Sequence, residues 1–132
     1  MKALKFLTAV LFLSAVFTAC KKDEIKSPTL SMEGKWSGFK GFYGDTMDND
    51  ILWNIKANGI IEETNTSGAV KGSGTWTLNG TTFTAHYQFK APLNTIYSFK
   101  GSYDKNAKKI TGTWGFDDSD SGEGNWYTEK QP

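Results

Sequence analysis

From Gly34 onward, apolar and polar residues alternate in short runs that are separated by glycine, asparagine and aspartate. A period of two is typical of β-strands, because successive side chains point to opposite faces. No helical periodicity follows Cys20, so an all-β domain is predicted. The pattern predicts eight strands, over residues 34–39, 51–56, 60–64, 74–78, 81–89, 95–103, 109–116 and 124–130.

Two Asn-Gly pairs predict tight hairpins between these strands. At Asn58-Gly59 a type I′ turn is expected, in which both central residues have a positive φ. A two-residue turn at Asn79-Gly80 is expected to pair Leu78 with Thr81 and Trp76 with Phe83. The alternation then places one set of side chains inside: Trp76, Leu78, Phe83, Ala85, Tyr87 and Phe89.

Eight antiparallel strands joined by short turns predict an up-and-down barrel, because closure leaves no free sheet edge. Glycine also stands two positions before a tryptophan at four places along the domain. We expect these glycines to leave room for an indole on a neighbouring strand. The four pairs are Gly34/Trp36, Gly74/Trp76, Gly112/Trp114 and Gly124/Trp126.

The chain begins with a segment typical of export signals. Lys2 and Lys5 precede a run of 12 uncharged residues, 6–17, which is shorter than the roughly 20 that a membrane-spanning helix needs. Residues 1–19 are therefore predicted to be a signal peptide, residues 20–31 a polar tether and residues 32–132 the domain.

Cys20, the single cysteine, follows this segment directly. This arrangement resembles the lipobox of bacterial lipoproteins, which implies acylation of Cys20 and a lipid anchor in a membrane. An ordinary secretory signal with a chance cysteine is the alternative. Residues 21–24, Lys-Lys-Asp-Glu, are similar to the signal of surface-exported lipoproteins of Bacteroidota. That resemblance implies an outer-membrane location with exposure at the cell surface; a plain solvated tether is the alternative.

The start of the first predicted strand carries a second resemblance. Gly34-Lys35-Trp36, together with the strand count, is similar to the calycin barrels, the lipocalins and avidins. The resemblance implies that Trp36 plugs one end of the barrel and that a ligand can enter at the other.

The charge of the chain disfavours nucleic acid as a partner. Removal of residues 1–19 takes away Lys2 and Lys5, which lowers the lysine count from 15 to 13 against 14 acids, a net charge of −1. The sequence contains no arginine and no basic patch.

Residues for catalysis are sparse. His86, the single histidine, falls on the polar face and is expected at the surface, and there is no histidine or cysteine cluster for a triad or a zinc site. We therefore expect neither enzymatic activity nor a cofactor. Asp118, Asp120 and Glu123 supply hard oxygen ligands for a candidate calcium site. A solvated turn is the alternative.

The inward aromatic residues allow two functional hypotheses. The first is a lipid-anchored binding module, with a pocket for a small hydrophobic ligand bordered by Trp53, Tyr87, Tyr97 and Phe99. The second is a surface interaction protein with a filled barrel that meets a partner protein or an envelope glycan through its loops. A cavity that opens at one end of the barrel would distinguish the first hypothesis from the second.

Overall fold

The computed structural model describes residues 32–132, which form a closed eight-stranded antiparallel barrel in the order β1 to β8, with β8 paired to β1. The predicted all-β up-and-down barrel is confirmed. The predicted signal peptide, the tether and Cys20 lie outside the described residues. The strands are β1 Gly34–Phe42, β2 Asn49–Ile55, β3 Ile60–Thr64, β4 Val70–Asn79, β5 Thr82–Phe89, β6 Ile96–Asp104, β7 Lys109–Phe116 and β8 Gly124–Lys130.

The direction of the strands gives the barrel two different ends. The hairpin end holds the start of β1 and the short turns after β2, β4 and β6. The loop end holds the connections 43–48, 65–69, 90–95 and 117–123.

The β4–β5 hairpin differs in register from the prediction. Leu78 pairs with Phe83 and Trp76 with Ala85, because the turn consists of Gly80 and Thr81, one residue later than expected. Gly80 has a φ of 62°, which suits the first central position of a type II′ turn. The pairing moves by two residues, so each side chain keeps the face that was predicted for it.

The turn at Asn58-Gly59 is also of a different type. Ile55 pairs with Ile61, and the Lys56 amide donates to the Ile60 carbonyl, so three residues form the connection. Gly59 has a φ of 81°, whereas Asn58 is not among the residues with positive φ. The predicted type I′ turn is therefore wrong, and a single glycine supplies the left-handed conformation.

The glycines before tryptophan also serve a purpose other than the predicted one. A Cβ added at Gly74, Gly112 or Gly124 would lie 1.8–1.9 Å from a carbonyl oxygen of a neighbouring strand. These glycines therefore permit close approach of two backbones. At Gly101 an added Cβ would lie 2.7 Å from the Thr111 carbonyl oxygen and 2.8 Å from Cζ2 of Trp126, so this glycine permits close approach of both a backbone and an indole.

The centre of the barrel is filled by aromatic side chains around Trp53, which is 2% exposed. Its ring centroid lies 5.1 Å from those of Phe99 and Trp126 and 5.8 Å from that of Phe83. Close packing of this kind leaves no room for a ligand among these rings. The barrel interior is therefore a core at its centre.

Trp36 lies near the start of β1, towards the hairpin end, and its role as an end plug stays a prediction. Its side chain is 1% exposed, its Nε1 donates to the Met32 carbonyl at 2.8 Å, and its ring meets Tyr103 edge-on at 6.0 Å.

Candidate functional site

Charged side chains lie inside the barrel just below the loop end. Alternation along β1 turns Lys40 inward after Trp36, and alternation along β3 turns Glu63 inward after Ile61. Lys71 of β4 and Tyr87 of β5 complete what we call the Glu63 cluster: Lys40, Glu63, Lys71 and Tyr87. The cluster lies between the aromatic centre of the barrel and the open loops.

A chain of hydrogen bonds connects the aromatic centre to Glu63. Trp53 Nε1 donates to the Tyr87 hydroxyl at 3.1 Å, and that hydroxyl donates to Glu63 Oε2 at 2.5 Å. Burial raises the pKa of Tyr87 well above its usual value, and the nearby Glu63 raises it further. Tyr87 is therefore held as a neutral donor to the carboxylate.

The second oxygen of Glu63 is poorly satisfied. Glu63 is 1% exposed, and its Oε1 is fully enclosed without a hydrogen-bond partner. Lys71 Nζ lies 3.4 Å from this oxygen in an ion pair whose geometry falls short of a hydrogen bond. Enclosed acceptors without a partner are uncommon in proteins and often mark sites with a functional role.

Lys40 is the second unusual group. Lys40 is 8% exposed, and its ammonium lies 4.9 Å from the ring centroid of Tyr97 and 5.9 Å from that of Trp114. Among residues 32–132 it makes no hydrogen bond or ion pair. Burial lowers the pKa of Lys40, and Lys71 lowers it further, while Glu63 and Asp50 act against these effects.

Aromatic side chains surround the cluster at the loop end. Phe89, Tyr97 and Phe116 are partly buried, with the Tyr97 centroid 5.0 Å from that of Phe89 and 5.5 Å from that of Phe116. Phe42 is 44% exposed and meets Trp114 edge-on at 5.1 Å. We call these four residues the aromatic rim: Phe42, Phe89, Tyr97 and Phe116.

The four predicted ligand-binding residues are brought together, but three of them are enclosed. Trp53, Tyr87 and Phe99 are 1–2% exposed, and they contact one another in the centre of the barrel. Tyr97 is partly buried, stands in the aromatic rim and touches Tyr87 at 6.0 Å. Of the predicted set, Tyr97 therefore has the geometry to contact a ligand without rearrangement of the core.

Sequence reasoning missed Lys40 and Glu63. Both stand at inward positions of strands whose other inward residues are apolar or glycine. The signal that could have identified them is this conflict between alternation and residue type, because a charged side chain is rarely buried without a partner.

The acidic loop lies beside a shallow groove on the outer face of the barrel. The groove has a volume of about 200 Å³, and Asp118, Asp120 and His86 contribute to its wall. His86 is exposed, as predicted, and its Nδ1 lies 2.7 Å from Ser98 Oγ. Glu123 does not contribute to this wall. Within residues 32–132, no three His, Cys, Asp or Glu side chains are grouped to hold a metal ion, and the calcium site stays a prediction.

Apolar side chains are also exposed in the connections at the loop end. Tyr43 is 53% exposed, Met47 41% and Leu93 68%. Together with Phe42 they are the exposed large apolar residues of the loop end, which we call the exposed loop patch: Phe42, Tyr43, Met47 and Leu93. Exposed apolar groups gathered at one end of a domain are typical of contact surfaces.

None of the helical structure within residues 32–132 is both long and apolar enough to span a bilayer. Comparison with known proteins identifies no relative: no family model, no curated protein and no solved structure matches the chain.

Proposed function

We propose that this chain is a lipid-anchored cell-envelope protein, and that its calycin-like barrel is a non-enzymatic binding module for a small hydrophobic molecule held at the loop end. The eight-stranded barrel is consistent with a binding module. The observation that carries the proposal is the Glu63 cluster, in which Lys40, Glu63 and Tyr87 are buried, beneath the partly open aromatic rim. Few features other than a ligand site would favour charged groups at inward positions below open aromatic side chains.

The depth of the site follows from the packing of the core. Trp53, Phe83, Phe99 and Trp126 fill the barrel centre, so a ligand that reached it would have to displace tightly packed rings. At the loop end, Tyr97 and Phe116 present ring surface that is already partly solvent-exposed. A small apolar molecule would gain burial there without disrupting the core.

The anchoring part of the proposal rests on the sequence. Residues 1–19 have the features of a signal peptide, and Cys20 follows at the position where a lipoprotein is acylated. The barrel would then be held at the outer membrane, with residues 20–31 as its tether. Replacement Cys20→Ser should abolish incorporation of an alkyne-labelled fatty acid in cells, and unchanged labelling would contradict the anchor.

The binding part is tested by titration of the purified full chain with fatty acids, haem-like compounds and aromatic compounds, with tryptophan emission as the readout. Trp114 touches Tyr97, Phe116 and Phe42, so a ligand on the rim should change its emission. At least one compound should give a saturable change, which Tyr97→Ala and Phe116→Ala weaken. Tyr127→Ala is the matched control, because Tyr127 packs against Phe39 on the outer face.

A second candidate function is a surface interaction protein that binds a partner protein or a glycan through its loops. The exposed loop patch and the filled barrel centre favour it. A photo-crosslinking amino acid at Leu93 should then form a discrete adduct in cells, and one at Thr77 on the outer barrel face should not. This outcome, together with no saturable response in the titrations, would favour the second function over the first.

A further inference from the structure

We infer that the ligand of the loop end carries one negative charge, as a carboxylate does, and that this group pairs with Lys40 while the apolar body lies against the aromatic rim. The inference rests on the proposed function and specifies the chemistry of the ligand. It concerns a charge that the fold buries and leaves without a counter-ion.

Among residues 32–132, Lys40 forms no ion pair with an anionic side chain. Its ammonium faces the rings of Tyr97 and Trp114, whereas the carboxylate of Glu63 is engaged by Lys71 and by the Tyr87 hydroxyl. Attraction to an aromatic face is weaker than the cost of removing an ammonium group from water. A counter-ion supplied by a ligand would offset this cost.

Three charged side chains on other strands act on Lys40: Glu63, Lys71 and Asp50. The buried Lys40 and Glu63 are 8% and 1% exposed, whereas the side chain of Lys71, which pairs with Glu63, is 40% exposed. Asp50 of β2 also attracts Lys40, but Asp50 is exposed and pairs in register with Phe39, which points outward. Water screens the exposed charges of Asp50 and Lys71, so the buried Lys40 ammonium is attracted by Glu63 but forms no ion pair with it.

The Lys40 ammonium is not fully enclosed. Among residues 32–132, the fully enclosed polar side-chain atoms without a hydrogen bond are Glu63 Oε1 and Thr128 Oγ1. Lys40 Nζ has no hydrogen bond and does not belong to this group, so solvent reaches it. Lys40 is therefore largely buried, at 8% exposure, while its ammonium is not completely enclosed.

The aromatic surroundings of Lys40 favour an anion with a single charge and an apolar body. The surroundings of the ammonium are the aromatic groups Tyr97 and Trp114, with Phe89 and Phe116 beside Tyr97. The chain has no arginine, so a forked contact to a phosphate is not available. One ammonium among aromatic rings matches one carboxylate attached to an aliphatic or aromatic body.

The test compares two fluorescent probes that share a skeleton and differ in charge. The anionic probe is 8-anilinonaphthalene-1-sulfonate and the neutral probe is N-phenyl-1-naphthylamine. Both are titrated into the purified full chain and into Lys40→Met, with Lys109→Met as the matched control. Lys109 likewise lies over a tyrosine, 4.8 Å from the Tyr127 centroid, but on the outer face of the barrel. Binding of a probe elsewhere on the chain is common to all three proteins and cancels in the comparison.

We expect Lys40→Met to raise the dissociation constant of the anionic probe by about tenfold or more, which is the effect of losing one charge-assisted contact. The dissociation constant of the neutral probe should change by less than about threefold, and Lys109→Met should leave both constants unchanged. Lys40→Arg, which keeps the charge, should retain binding of the anion. Octanoate should displace the anionic probe at lower concentration than octanol, and this preference should disappear in Lys40→Met.

Equal binding of the anionic probe to wild type and Lys40→Met, or stronger competition by octanol than by octanoate, would overturn the inference. If the neutral probe still bound and Tyr97→Ala weakened it, the proposed binding module would stand without the charged ligand. Absence of saturable binding by either probe would overturn both proposals. The octanoate comparison uses wild type alone, so a Lys40 variant that failed to fold would not remove the test.

Discussion

Tyr87 on β5 donates a 2.5 Å hydrogen bond to the enclosed carboxylate of Glu63 on β3. The two residues are 24 positions apart, and β4 lies between their strands. The contact therefore spans the inner face of β4, and through Tyr87 it connects Trp53 of the aromatic core to Glu63. It makes Tyr87 both a structural residue and the floor of the proposed site.

Replacement Tyr87→Phe should lower the free energy of unfolding by about 1–3 kcal/mol, because an enclosed oxygen of Glu63 and Nε1 of Trp53 both lose their partner. Urea denaturation measures this loss. Tyr43→Phe is the control, since Tyr43 is 53% exposed and should change stability by less than about 0.5 kcal/mol. Equal stability of Tyr87→Phe and wild type would show that the hydrogen bond contributes nothing.

The same pair predicts a pH dependence at alkaline pH. Below its ordinary pKa of 10.0, Tyr87 is neutral in both the folded and the unfolded state. Above this pH the unfolded chain loses the proton, whereas burial and Glu63 raise the pKa of Tyr87 in the folded state and keep it neutral. Stability should therefore fall with rising pH from about 10 upward, towards the raised pKa of the folded state. The stability difference between wild type and Tyr87→Phe should narrow over this range. A difference that stays constant from about pH 8 to 11 would contradict the raised pKa, because the ionisation of Lys40 and Tyr97 is common to both proteins.

Truncation of a core tryptophan tests the filled barrel. Trp76 is 4% exposed, donates from Nε1 to the Lys56 carbonyl at 2.9 Å and stacks on Phe83. Trp76→Ala should cost about 3–5 kcal/mol in thermal or urea unfolding, as buried aromatic truncations do. Tyr43→Ala, on the exposed loop patch, should cost less than about 1 kcal/mol. Similar costs for the two variants would refute the assignment of the inward face.

Close approach of two strands predicts a glycine that cannot be replaced. An added Cβ at Gly112 would lie 1.8 Å from the Lys100 carbonyl oxygen, so Gly112→Ala should lower stability by about 3 kcal/mol or more. At Gly68 an added Cβ meets nothing within 4 Å, and its positive φ alone should cost about 1–2 kcal/mol in Gly68→Ala. A smaller loss at Gly112 than at Gly68 would contradict the close approach.

The fold could be predicted from the sequence wherever local patterns determine it. The limits of β3, β7 and β8 agree with the prediction, because alternation and turn residues bound these strands on both sides. β4 begins at Val70, whereas the prediction began at residue 74. The first residues were missed because Lys71, Gly72 and Ser73 interrupt the apolar pattern. The register of the β4–β5 hairpin depends on which residue takes the positive φ, and Asn79 and Gly80 are both suited to it.

The candidate site was less predictable than the fold. Tyr97 could be placed at the site because its aromatic side chain follows the inward pattern of β6. The conflict between alternation and residue type at Lys40 and Glu63 is a weaker signal, because a charged residue at one inward position also fits the end of a buried pattern. Only closure of the barrel brings β1 and β3 round the same interior, so their charges become neighbours through tertiary structure.

The central claim, that a small hydrophobic molecule binds at the loop end, is tested most directly by mapping amide chemical shifts of the full chain during titration with N-phenyl-1-naphthylamine. We expect saturable changes in amide chemical shift that concentrate at Lys40, Glu63 and the aromatic rim. The amide shifts of Trp36 and of the turns at the hairpin end should change little. Shifts confined to the outer groove beside His86, or no saturable shift at all, would contradict the claim.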